Sequence, residues 1–148
     1  MARNRKFFPN SSVLFITTRT EEGLPFVASH VMNFIIWGIL ARAKTLFQVR
    51  ICHFLVMSNH LHMLLVVDTP TDVERFMSYV KGELAHGVNR LLGRRQKTIW
   101  QDGYDSPVLL TTEEIKRYIK YIYRNPSRAS LVHDIDEYPG VSSWEMFK

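Results

Sequence analysis

The sequence predicts an α+β fold of the ferredoxin-like type, an antiparallel sheet with helices packed on it. Three observations carry that expectation. The predicted elements run β-α-β-β-α-β-α along the chain. Two strands, 47–57 and 60–67, are separated only by Ser58-Asn59, so they read as an antiparallel hairpin. The chain has 148 residues, 46% of them hydrophobic and 22% charged, which suits one globular core. The expected organisation is one domain over 1–148: a basic arm at 1–11, a core over about 12–126 and a tail at 127–148.

Each element has its own signal. "SVLFITTR" (12–19) is β-branched and aromatic, hence a strand, and "TEEGLP" after it is a turn. Ser29 can cap a helix through "HVMNFIIWGILARAK", whose Val31, Phe34, Ile35 and Ile39 recur at helical spacing. "FQVRICHFLVM" (47–57) is β-rich although Val49, Cys52 and Phe54 do not alternate cleanly, and "HLHMLLVV" follows as the third strand. Thr71 or Asp72 caps a long amphipathic helix carrying Val73, Phe76, Met77, Val80, Leu84, Val88 and Leu91 and ending at Gly93. A short fourth strand is expected at about 106–110. Thr111 and Glu114 then form a capping box that opens a helix through "EEIKRYIKYIYR", and Asn125-Pro126 ends it. The remaining 22 or so residues lack periodicity and read as a wrapping tail.

Charge narrows the partners. The net charge is +5, with a pI of about 9.5, which favours a polyanion. The bias is steepest early, where seven Lys or Arg up to Val67 face only Glu21 and Glu22. The one cysteine, Cys52, excludes an internal disulfide and a cysteine-based zinc site, and fits a buried thiol in a reducing cytoplasm. "VMNFIIWGIL" (31–40) is too short to span a bilayer, and no signal-peptide h-region follows the N-terminus. A cytoplasmic protein without membrane contact is expected.

The stretch "VMSNHLHMLLVV" (56–67) carries the first chemistry. Side chains alternate along a strand, so His60 and His62 share one face while Leu61 takes the other. Two imidazoles so placed can bind one divalent cation if a third ligand arrives from elsewhere, or can be ordinary hydrogen-bonded residues at a sheet edge. The last helix offers the missing ligand. Tyr121 and Asn125 are four residues apart and share a helix face. Asn125 brings a neutral oxygen suited to Mg²⁺ or Mn²⁺, and the Tyr121 phenol is a competent nucleophile toward phosphorus once a metal polarises the phosphodiester. Tyr118, Ile119, Ile122 and Tyr123 make the same helix aromatic and apolar, so packing is the competing role for Tyr121.

"VMSNHLHMLL", then "IWQDGY", then "YIYRNPSRASLV" resembles the single-tyrosine HUH transposases, in particular the REP-associated group related to IS200-like transposases. The resemblance runs from about Ser12 to Val132, with the motifs in the family's order. It implies the HUH endonuclease fold, with His60 and His62 as the metal-binding pair, Tyr121 as the nucleophile and Asn125 as the polar residue that joins the metal. It also implies nicking of single-stranded DNA near hairpins through a 5′-phosphotyrosine that leaves a free 3′-OH. Tyr123 and Arg124 stand where relatives often carry His or Asn, at positions outside the chemistry, and the chain stops at "SSWEMFK" where many relatives continue.

Basic residues supply the expected DNA contacts: Arg3, Arg5 and Lys6 in the arm; Arg94, Arg95 and Lys97, beside Arg90; and Lys120 and Arg124, among Lys116, Arg117 and Arg128. Trp100, Phe7 and Phe8 lie beside them and can stack on bases or pack in the core. The expected function is metal-dependent nicking and strand transfer on single-stranded or hairpin DNA. The alternative is a hairpin-binding protein without cleavage activity. Monomer and homodimer both remain open.

Overall fold

A computed structural model describes residues 8–21, 29–95 and 97–148. Arg3, Arg5, Lys6 and Phe7 lie outside them. The element order is β1 (Ser12–Arg19), α1 (His30–Leu46), β2 (Val49–Val56), β3 (His60–Val67), α2 (Pro70–Leu91), β4 (Val108–Leu109) and α3 (Thr112–Arg128), followed by two short 3₁₀ turns, Ile135–Glu137 and Ser143–Met146. The four strands form one sheet in the order β2-β3-β1-β4 with every neighbouring pair antiparallel. This is the expected ferredoxin-like topology.

The sheet is a two-sided core. Leu14, Ile16, Leu61, Met63 and Leu65 face α1 and α2, where Met32, Ile36, Leu40, Phe76, Val80 and Leu84 complete a buried cluster. Phe15, Leu55 and Leu64 project to the opposite face and pack against Ile122 of α3, with Tyr118 and Tyr121 at the margin. Period-2 alternation in β1 and β3 therefore separates the two layers, and His60 and His62 fall on the α3 side. In β2 the alternation breaks because the pairing to β3 shifts between Ile51 and His53. The extra residue is Cys52, which explains the untidy sequence pattern there.

Three sequence expectations need correction. α1 buries Met32, Ile36, Ile39, Leu40 and Ala43, while Val31 and Phe34 are 58% and 82% exposed. The helix is apolar on nearly every side, so periodicity alone could not select the face that meets the sheet. α2 is capped by Thr69, whose hydroxyl accepts from Asp72 N, and not by Thr71 or Asp72. Pro70 sits at the first helical turn, where its missing N–H costs nothing; Leu91 at the far end is 48% exposed. Finally, α3 does not stop at Asn125-Pro126 but continues to Arg128. The later amides still find acceptors, Ala129 N to Asn125 O at 2.9 Å and Leu131 N to Pro126 O at 3.0 Å. Both Asn125 and Pro126 are buried, so packing holds the turn that proline would otherwise break.

The capping box at Thr111 and Glu114 forms as expected. The tail wraps β2: Val56 N donates to Val141 O, Leu55 bridges Ser142, and the Ser143 hydroxyl bonds both Phe54 N and Phe54 O. No helix among the described residues is long and apolar enough to cross a membrane.

Candidate nucleic-acid cleavage site

His60 opens β3 directly after the Ser58-Asn59 turn, which Met57 N closes by donating to His60 O at 2.8 Å. Its Nδ1 lies 2.6 Å from Asn59 Oδ1. An amide oxygen only accepts, so His60 carries its proton on Nδ1 and leaves Nε2 as a lone pair. His62, two residues on, is 1% exposed. Its Nε2 lies 3.0 Å from Asn125 Nδ2, and its Nδ1 lies 3.0 Å from Thr17 Oγ1. The Asn125 N–H₂ only donates, so Nε2 is again the unprotonated nitrogen and Nδ1–H donates to Thr17. Both imidazoles thus have the same tautomer, fixed by partners from the β2–β3 turn and from β1. Their rings are 4.6 Å apart.

Burial keeps both neutral. It is the main reason that His62 is pushed down to about 3, with His60 and Arg19 adding to it. His60 is lowered to about 4, chiefly by burial and then by Arg19, against a smaller opposing effect of Asn125. A neutral imidazole with a hydrogen-bonded Nδ1 is the form that binds metal through Nε2. A metal at this site would require the Asn125 amide to present Oδ1 in place of the N–H that faces His62 Nε2. Two imidazoles and one amide oxygen could then hold a hard divalent cation. Among the described residues no three His, Cys, Asp or Glu side chains are grouped as metal ligands, so the donor set here is imidazole and amide.

α3 brings Tyr121 to the same place. Its ring meets His62 edge-on at 5.4 Å and Phe15 at 5.9 Å. Ile122 and Asn125 on one side of it are buried, while Arg117, Lys120, Arg124 and Arg128 are exposed. Tyr121 therefore lies on the border between the packed face of α3 and its basic face. Together with Ser127 these residues line an open groove of ≈ 650 Å³. The Arg128 guanidinium lies 5.7 Å from the Tyr121 ring centroid.

The other tyrosines point elsewhere. Tyr118 packs on Phe15 at 4.5 Å, and Arg117 lies over its ring. Tyr123 is on the far flank, where its hydroxyl meets His53 Nδ1 at 2.7 Å and Ser143 Oγ at 2.9 Å. Burial raises the Tyr123 phenol and lowers the His53 imidazole.

The remaining basic positions are dispersed. Lys120 and Arg124 share the groove with Tyr121. Arg95 and Lys97 are exposed beyond the end of α2. Arg94 is half-buried with an enclosed Nη1 that lacks a hydrogen-bond partner. Trp100 is core, 5% exposed with Nε1 donating to Lys81 O at 2.7 Å, and Phe8 packs against the same cluster. Arg117 and Arg128, expected within the same basic cluster, also line the groove, whereas sequence reasoning missed Thr17 and Asn59 as partners of the histidines. Along the chain Asn59 signals only a turn, and Thr17 acquires meaning only through its pairing with His62 in the β1–β3 register.

The family model described as "Transposase IS200 like" matches residues 19–125. No curated protein matches the sequence. Among solved structures, a REP-associated tyrosine transposase bound to a REP hairpin superposes with a TM-score of 0.79 at 17% identity, over 99% of this chain and 84% of its own. A candidate transposase from Deinococcus radiodurans R1 gives a TM-score of 0.49 at 17% identity, over 84% of this chain and 97% of its own.

Proposed function

The chain belongs to the IS200-like transposase family, and from that premise we propose that it nicks and rejoins single-stranded DNA beside hairpins, with Tyr121 as nucleophile. The observation that carries the reading is the convergence of β3 and α3: the Tyr121 ring lies against His62, and Asn125, one helical turn later, hydrogen-bonds the same imidazole. The structural relative solved on a REP hairpin supports hairpin DNA as the substrate class.

In the proposed step the Tyr121 phenol oxygen attacks phosphorus, the bond from phosphorus to the 3′-oxygen breaks, and the 5′-phosphate stays on Tyr121. The proton lost by the phenol balances the one gained by the departing 3′-oxygen. Mg²⁺ or Mn²⁺ held by His60, His62 and Asn125 would supply Lewis-acid stabilisation of the charge on the phosphate. Thr17 and Asn59 hold both imidazoles in the binding tautomer. Phe15, stacked on His62 at 5.3 Å, keeps water from one side of that ring. Lys120 and Arg124 contact the strand backbone from the groove, and Arg3, Arg5, Lys6, Arg94, Arg95 and Lys97 complete the proposed set of phosphate contacts. A cytoplasmic setting, where DNA is at hand, fits this activity.

Incubation with a hairpin oligonucleotide bearing a single-stranded flank, with Mg²⁺ or Mn²⁺, tests the proposal. A denaturation-resistant protein–DNA adduct is expected, and Tyr121→Phe should bind the hairpin yet form none. Hairpin binding with no adduct from the wild-type chain would leave only a binding protein, and free 5′-phosphate ends would indicate attack by water.

A further inference from the structure

Arg19 closes β1 and stands directly opposite His60 in the β1–β3 register. Facing residues of an antiparallel pair project to the same side of the sheet, and Arg19 is two positions beyond Thr17, which touches His62 on that side. Its side chain thus leaves the sheet on the His60–His62 face. Its charge is felt by both imidazoles, where it opposes protonation. The side chain is exposed, and it makes no ion pair or side-chain hydrogen bond among the described residues. A cation beside a cation-binding pair is unfavourable for the metal site taken alone. The arrangement becomes favourable once an anion lies between them.

We propose that Arg19 is a catalytic residue that contacts the non-bridging oxygens of the scissile phosphate, opposite Tyr121, and stabilises the charge that gathers there during attack. The role rests on the function proposed above. A phosphodiester seated over His60 and His62 would have the α3 groove, with Arg128 beside Tyr121, on one side and Arg19 on the other. A planar guanidinium matches two phosphate oxygens bidentately, which an ammonium cannot do. Donors already aimed at developing charge stabilise the transition state more than the ground state.

The test measures three quantities on Arg19→Ala and Arg19→Lys: the rate of adduct formation at saturating hairpin DNA, the hairpin Kd, and Mn²⁺ binding to the DNA-free protein by titration calorimetry. Arg19→Ala should slow adduct formation by roughly 100-fold. Its hairpin Kd should change little, because many other cations hold the backbone. Mn²⁺ should bind the free variant as tightly as wild type or more tightly, since a repelling charge is gone. Arg19→Lys should recover part of the rate. An unchanged rate in Arg19→Ala would overturn the role. So would Mn²⁺ affinity that falls in parallel with the rate, because Arg19 would then act through the histidines. A wild-type chain that forms no adduct overturns the proposed function and the Arg19 role with it, whereas a normal adduct in both proteins removes Arg19 alone.

Discussion

Thr17→Val is the sharpest probe of how the site is held. The substitution keeps the branched shape and removes one hydroxyl that lies 3.0 Å from His62 Nδ1. Thr17 is 9% exposed and His62 is 1% exposed, so water has little room to replace the missing partner. The stranded Nδ1–H then carries the desolvation cost of an unsatisfied buried polar group, about 1–3 kcal/mol. The imidazole has one escape: move its proton to Nε2, donate to a turned Asn125 amide, and face the valine with a bare Nδ1. That tautomer still leaves a polar nitrogen unpartnered, and it blocks the nitrogen a metal needs. Both routes lower stability, and the second also lowers metal affinity; removing such an outer partner typically costs ~10–100-fold. Urea unfolding in EDTA gives the first quantity and Mn²⁺ titration the second. Stability within about 0.5 kcal/mol of wild type, together with unchanged Mn²⁺ affinity, would refute the tautomer assignment and the orienting role of Thr17.

Other predictions follow from the same geometry. His60→Ala or His62→Ala should abolish cleavage and leave hairpin binding largely intact, and metal-dependent cutting at the wild-type rate in either variant would remove it from the ligand set. Asn125→Ala should be milder, since water can replace a neutral oxygen; identical Mn²⁺ titrations would exclude Asn125. Tyr123→Phe should keep adduct formation but loosen the tail, because its hydroxyl ties His53 to Ser143; peptide mapping that finds DNA on Tyr118 or Tyr123 would contradict the assignment to Tyr121. Neutralising Arg95 and Lys97 should make binding less salt-sensitive, by ~0.7–0.9 in the log–log slope for each phosphate left without its cation; an unchanged slope would show that they face solvent. Metal-free protein should lose stability as pH falls from 6.5 towards 4, because the unfolded histidines take up protons that His60 and His62, held at about 4 and about 3, refuse. The slope approaches ~1.4 kcal/mol per pH unit for each such histidine, and His62→Gln should flatten it in urea titrations at pH 7 and pH 5.

The sheet was legible because its signals are local. Ser12–Arg19 and His60–Val67 are each bounded by turn residues and rich in β-branched or apolar side chains, and the structure places both strands at those limits. The helices were legible in number but less so in orientation. α2 has a clear polar face, so Val73, Phe76, Met77, Val80, Leu84 and Val88 could be assigned to the core, and all are buried. α1 presents two apolar sets, 31/34/35 and 32/36/39/40/43, and only the sheet decides between them. Its end near Leu46 and the capping of α2 by Thr69 instead of Thr71 are choices of one turn, which tertiary packing settles.

The candidate site shows a different limit. His60 and His62 on a strand, and Tyr121 and Asn125 on a helix, could be paired as candidates because each spacing defines a shared face, and it is the resemblance to HUH transposases that gave them roles. Thr17, Asn59 and Arg19 were not visible, since they reach the histidines only through strand pairing and a turn, and nothing along the chain links position 17 to 62 or 19 to 60. Pro126 connects the two cases. Local rules end α3 at Asn125, which would place that amide on a frayed terminus free to point away from the sheet. In the folded chain the helix runs on through Pro126 to Arg128, and Asn125 is a buried, helical residue one turn beyond Tyr121. The geometry that brings amide, phenol and imidazole together thus depends on a turn that local sequence rules disfavour. Pro126 is itself buried there, so tertiary burial opposes the break that local rules favour. Replacing Pro126 with a polar helix former such as Gln would satisfy the backbone yet weaken that packing. Its effect on the site should therefore exceed its effect on helix content, with Tyr121 adduct formation falling while the helical circular-dichroism signal is retained.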